Sequence, residues 1–189
     1  MRLLTFRFPT SVSDRFGAIL SNGQVLDLTG LDRHGMPVSL LGCIQEVPAA
    51  LAVVRSAVDE AEATLKAGGA VAGAVDYADV TVQLPYVPGK VVAVGRNYGE
   101  HAAEVGDAGT GTPNAFIPTG HPVKRPAGTE ELDYETELVI VIGRDCDNVD
   151  EANWRDYVFG YTVMNDVSAR NVQYQERKDG NILIGKNFP

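Results

Sequence analysis

The chain has 189 residues, 44% of them hydrophobic and 22% charged, an ordinary balance for a folded protein with a real apolar core. Its 16 basic and 25 acidic residues give a net charge of −9, which excludes nucleic acid or an anionic membrane as a bulk partner, since both need a basic footprint. Apolar runs such as Leu138–Ile142 fall far short of the ~18 residues of a membrane span. Cys43 and Cys146 form no Cys-x-x-Cys pair, so neither a zinc site nor a disulfide framework is expected. With Arg7 and Pro9 so close to Met1, no secretory leader is expected either, and the reading is a cytoplasmic protein that handles a small molecule.

In chain order, Leu3–Phe8 is rich in strand formers, and Gly17–Leu20 and Gln24–Leu28 flank Ser21-Asn22-Gly23. Asn-Gly between two apolar runs predicts a hairpin. Pro48 opens a helix in which Leu51, Val54, Val58, Ala61 and Leu65 recur at helical spacing, and Gly68-Gly69 ends it. The first 84 residues carry no convincing polar constellation and read as a small α/β accessory module. A shift to Ala, Gly, Val and Pro over 70–90 places the boundary near residue 85, leaving 85–189 as a second module. There, Lys90–Gly95 reads as a buried strand, Glu100–Val105 as a brief helix and 106–130 as a Gly- and Pro-rich loop. Glu135–Ile142 and Tyr157–Met164 read as strands, Asp150–Asp156 as a helical turn and Val167–Lys178 as a helix.

Three clusters could do chemistry. His101 and Glu104, three apart on a helix, would share a face, and a carboxylate that orients an imidazole makes a general base. The same spacing also describes a solvated surface pair. Glu135 and Glu137 project from one face of a strand that runs into a buried apolar segment. Either a divalent cation sits between them, or the strand is an edge whose glutamates face water. Asp166 stands where a strand gives way to a helix, so it is either an N-cap or a third oxygen ligand. Oxygen-only ligands point to Mg²⁺ or Mn²⁺ rather than zinc. Arg170 and Gln173 follow on that helix, and Lys186 stands beside a glycine turn, where a solvated lysine is the default. His34 and His121 carry no functional weight, and Val94–Gly99 lacks the three glycines of a dinucleotide fingerprint.

These segments, in this order, resemble the fumarylacetoacetate hydrolase superfamily. They are Val94–Tyr98 with His101 and Glu104, Asp133–Leu138 with Val141–Gly143, Gly160–Arg170, and Gly185–Phe188. The resemblance implies an α+β fold, a mixed β-sheet roll with flanking helices, and a homodimer. It implies that Glu135, Glu137 and Asp166 bind Mg²⁺ or Mn²⁺ and that His101 and Glu104 activate water. Lys186 would be catalytic, polarising substrate, with Arg170 and Gln173 contacting it. The implied reaction is metal-dependent hydrolysis of a C–C bond in an acylpyruvate- or fumarylacetoacetate-type diketo acid. The alternatives are a 2-hydroxyhepta-2,4-diene-1,7-dioate isomerase, an oxo-acid decarboxylase, or a non-catalytic small-acid-binding protein. In two respects the sequence departs from the family pattern. Phe116-Ile117 is followed by Pro118 where members carry a Phe-x-Lys, and the interval from Glu104 to Glu135 is short. Members also continue past the position of Pro189, which implies a longer parent protein of roughly 250–300 residues.

Overall fold

The computed structural model describes residues 1–94, 108–111, 113–180, 184–186 and 188. The chain is α+β, and its contacts divide it into two compact units. The first comprises Met1–Tyr86, Pro118–Gly120 and Ile140–Gly160; the second comprises Val87–Ile117, His121–Val139 and Tyr161–Pro189.

In the first unit, β1 (Arg2–Arg7), β2 (Arg15–Ile19), β3 (Val25–Asp27), β4 (Ala74–Val75) and β5 (Thr81–Val82) form one sheet in the order β4-β3-β2-β1-β5. All its pairings are antiparallel, with Leu4 opposite Gly17 and Gly17 opposite Asp27. The expected hairpin joins β2 to β3, and Gly23 takes the left-handed conformation (φ 88°) that its turn demands. Gly17 is needed for space: a Cβ there would lie 2.8 Å from the Leu26 carbonyl oxygen and 2.9 Å from the Phe6 ring.

Two helices cover the sheet. α1 (Leu40–Gln45), too short to show periodicity in the sequence, starts where the Ser39 hydroxyl accepts from Gly42 N–H at 3.0 Å. α2 (Ala49–Lys66) follows Pro48 as expected and buries Ala50, Val54, Ala57, Val58 and Ala61 along one stripe. These residues pack with Leu40, Cys43 and Ile44 of α1 and with Phe16, Ala18, Leu20, Leu26 and Leu28 from the sheet side. Leu4, Phe6 and Val25 form a smaller cluster with Phe8, Ile19 and Val75. Each large side chain buried here stabilises the fold by about 1.5–3 kcal/mol.

In the second unit, β6 (Val91–Val94) pairs antiparallel with β7 (Ala108–Gly111). The sequence reads 106–130 as loop because the two glycines of Ala108–Gly111 weaken its strand propensity; the pairing there is made by backbone bonds, which do not depend on side chains. β8 (Leu132–Asp133) pairs with β11 (Ser168–Ala169), setting Ser168 opposite Asp133. That pairing delays the third helix, so α3 runs Arg170–Lys178 rather than from Val167. β9 (Thr136–Ile142) and β10 (Val158–Asn165), each with residues in both units, form a two-stranded sheet. In the first unit, the helical turn expected at Asp150–Asp156 is a 3₁₀ turn at Trp154–Tyr157. No helix of the described residues is long and apolar enough to cross a membrane.

Candidate active site

From Asp133 to Val141 alternate residues differ in exposure. Asp133, Glu135, Glu137, Val139 and Val141 are half-buried, whereas Tyr134, Thr136, Leu138 and Ile140 are exposed. The two-residue period of extended chain therefore puts Asp133, Glu135 and Glu137 on the more protected side. Glu135 is clamped by its own backbone. Its N–H donates to Asn165 Oδ1 at 3.1 Å, and its carbonyl accepts from Asp166 N–H at 2.8 Å. The end of β10 and the residue before β9 are thereby locked together, which brings the Asp166 and Glu135 side chains to one place.

A single cation joins them. Lys186 Nζ donates to Glu135 Oε2 and, at 2.6 Å, to Asp166 Oδ2. Far from being solvated, the Lys186 side chain is only 26% exposed. Asp166 does not cap α3, whose N-cap position is Ala169 with no side-chain hydrogen bond. Its carboxylate is committed to Lys186 instead.

Arg170, the first residue of α3, holds the other side. Its Nη1 lies 2.7 Å from Glu135 Oε1 and donates to Gln173 Oε1 at 2.9 Å. Its Nε and Nη2 both reach Asp133 Oδ2 at 2.9 Å. Gln173 is buried. Burial, the largest single influence on Glu135, would raise its pKa; Lys186 and Arg170 together outweigh it and hold the carboxyl below the usual 4.5. The bond from Arg170 likewise holds Asp133 below its usual value of 3.8. Burial works against the charge of Arg170, yet Asp133 and Glu135 more than compensate and raise its pKa.

Asp133, Glu135 and Asp166 against Arg170 and Lys186 leave a net negative charge in one place. Hard oxygen donors of this kind suit Mg²⁺ or Mn²⁺. Glu137 stands two residues from Glu135 on the same side, but among the described residues no three His, Cys, Asp or Glu side chains gather into a metal-binding group. The structure therefore brings Glu135, Asp166, Lys186, Arg170 and Gln173 together. His101 and Glu104 lie outside the described residues.

Residues 90–189 match a family model described as the fumarylacetoacetate (FAA) hydrolase C-terminal domain. The chain belongs to this family. The matched segment holds every site residue named above. Within the fumarylacetoacetate hydrolase family, a mitochondrial oxaloacetate tautomerase of Xenopus laevis is 30% identical, with 100% of this chain and 58% of that protein covered. A fumarylacetoacetate hydrolase domain-containing protein 2 homolog of Dictyostelium discoideum is 40% identical over 57% of this chain and 37% of its own length. A solved maleylpyruvate hydrolase of Sphingobium sp. SYK-6, in complex with manganese(II) and pyruvate, superposes with a TM-score of 0.66 at 27% identity. That match covers 89% of this chain and 59% of the hydrolase. The 5-carboxymethyl-2-hydroxymuconate delta-isomerase of Mycobacterium smegmatis gives a TM-score of 0.66 at 28% identity, covering 100% of this chain and 62% of the isomerase. The chain thus spans roughly two fifths to three fifths of the length of these relatives.

Two residues that hold the cluster escape sequence reasoning. Asp133 carries a signal, since it lies two before Glu135 and so shares its face. Asn165 carries none, because its role is a bond to the backbone of a residue 30 positions away.

Proposed function

We propose that this chain belongs to a divalent-metal-dependent enzyme that hydrolyses a C–C bond in an acylpyruvate- or fumarylacetoacetate-type diketo acid. The observation that carries the reading is the convergence of Glu135 and Asp166 on Lys186, with Arg170 and Asp133 beside them and one negative charge in excess. Glu135 and Asp166, with Glu137 next along the strand, would hold Mg²⁺ or Mn²⁺. A bound ion would supply a Lewis acid and a template for the carboxylate and adjacent oxygen of a 2-oxo acid.

The chain's own residues do the rest. His101, with Glu104 orienting its ring, takes a proton from water, and the hydroxide adds to the far carbonyl of the substrate. The C–C bond breaks, and its electron pair passes to the pyruvyl fragment as an enolate. Lys186 donates hydrogen bonds to the oxygen where that charge develops. Arg170 and Gln173 orient the substrate. Proton return to carbon gives pyruvate and a carboxylic acid. The substrate is a small oxo-acid, and the working form is a cytoplasmic homodimer, checked by light scattering on the purified protein.

A second reading, proton transfer without cleavage, is favoured by the oxaloacetate tautomerase that aligns along the whole chain. Hydrolysis needs a placed water and a base; tautomerisation or diene isomerisation needs only a proton moved around the enol. A panel of acylpyruvates, oxaloacetate and diene-dioates, each with Mg²⁺ and Mn²⁺, separates them. Pyruvate from an acylpyruvate supports the hydrolase, and CO₂ from oxaloacetate a decarboxylase. Enol–keto conversion without cleavage supports the second reading, and metal binding with no turnover supports a binding protein. Replacing His101 by Ala should lower the hydrolytic rate ~10²-fold or more and leave metal binding intact.

A further inference from the structure

The side chain of Glu176 lies in the last turn of α3 and is only 6% exposed. Among its partners is the backbone of the lysine turn, since Glu176 Oε2 accepts from Gly185 N–H at 2.7 Å. Spacing of three along α3 sets Arg170, Gln173 and Glu176 on one face. Gly185 is fixed from a second direction too. A Cβ on it would stand 2.7 Å from Gln173 Cβ and 2.8 Å from Gln173 Cα and N. The backbone of α3 cannot yield there without moving the helix, so the turn sits flat on Gln173 only because residue 185 has no side chain. The next residue is Lys186, whose ammonium meets Glu135 and Asp166.

We propose that Glu176 is a positioning residue for Lys186, a buried carboxylate that pins the glycine turn to α3 so that the ammonium reaches the two carboxylates. The part of its test that reads turnover rests on the function proposed above; the part that reads Lys186 itself does not. Two readouts are taken on the purified protein, turnover and the rate at which Lys186 is acetylated, measured by mass spectrometry against the exposed Lys124 as internal reference. In the wild type Lys186 should react more slowly than Lys124.

In Glu176→Ala the Lys186 rate should approach that of Lys124, and kcat should fall ~10- to 100-fold with KM changing less, as for a group displaced by about 1 Å. Glu176→Gln, which keeps an acceptor oxygen, should restore both. In a Lys186→Met background, Glu176→Ala should cost less than about twofold more, because its partner in the effect is already gone. If Glu176→Ala fails to fold, Gly185→Ala asks the same question by lifting the turn, and Lys186 should again become reactive. Slow acetylation of Lys186 in whichever of Glu176→Ala and Gly185→Ala folds, or a loss of turnover that repeats undiminished in the Lys186→Met background, overturns the proposal. Unchanged turnover in Lys186→Met alone contradicts the proposed function, while the acetylation result still decides the role of Glu176.

Discussion

The two units bury different kinds of residue. In the first, Phe6, Phe16, Leu20, Leu28 and Val54 are fully enclosed, and almost everything beneath the surface is apolar. In the second, the buried side chains among the described residues are Thr129, Ser168, Ala169, Gln173 and Glu176, while Val92, Val94, Tyr161 and Val163 are more than half exposed. One unit is organised by a hydrophobic core, the other by ion pairs around Glu135. Apolar burial stabilises without regard to direction, whereas partly buried charges are tolerated only when each meets a partner in good geometry. A unit built that way is fixed where its charges meet, and chemistry uses such places.

The largest effect is expected in the hydrophobic core of the first unit. Phe16→Ala empties the middle of a closed core and should cost about 3–5 kcal/mol in urea unfolding. A cost near zero would mean that the core is not what holds the first unit. At the charged end, Lys186→Met should lower turnover ~10²-fold or more. Glu135 and Asp166 then repel without their shared cation, so the thermal midpoint should also fall; steady-state rates and calorimetry check the two parts.

A smaller effect sharpens the contrast through the two thiols. Burial, with a lesser push from Glu46, raises Cys43 to about 11, whereas Cys146 is exposed. At pH 8 a thiol reagent should titrate one group in the native protein and two after denaturation. The smallest effect concerns Glu62 on α2, held below its usual value first by the Ser21 hydroxyl and then by the Ser21 N–H. A lowered carboxyl stabilises the fold fully above about pH 4.5 and loses that contribution as pH falls through its folded value. Glu62→Gln should therefore flatten the acid limb of the stability profile slightly; a steeper limb would reverse the sign.

Much of the first unit is legible in the sequence because its signals are local. Asn22-Gly23 marks the hairpin, and Val54, Val58 and Ala61 mark the buried stripe of α2. In the second unit the strand through Glu137 is equally legible, from the apolar run that follows it. Pairings such as β8 with β11 are not, since two-residue strands leave no periodicity and depend on neighbours more than 30 positions away. The site shows the same division. Glu135 and Asp166 are visible as carboxylates at the ends of strands, and family membership accounts for why they come together with Lys186. Sequence spacing favours a solvated Lys186 and an N-capping Asp166, because both readings use only neighbours in the chain. The actual partners of Lys186 lie 51 and 20 residues back, a distance that only the fold closes.

The central claim is that Glu135 and Asp166 form a cation site of functional strength. Titration calorimetry with Mn²⁺ on the wild type, Glu135→Gln and Asp166→Asn tests it most directly. The wild type should bind one ion, and each variant should lose at least about tenfold in affinity, the low end of what even outer-shell changes cost at metal sites. Equal affinity in all three proteins, each shown to be folded, would contradict the claim.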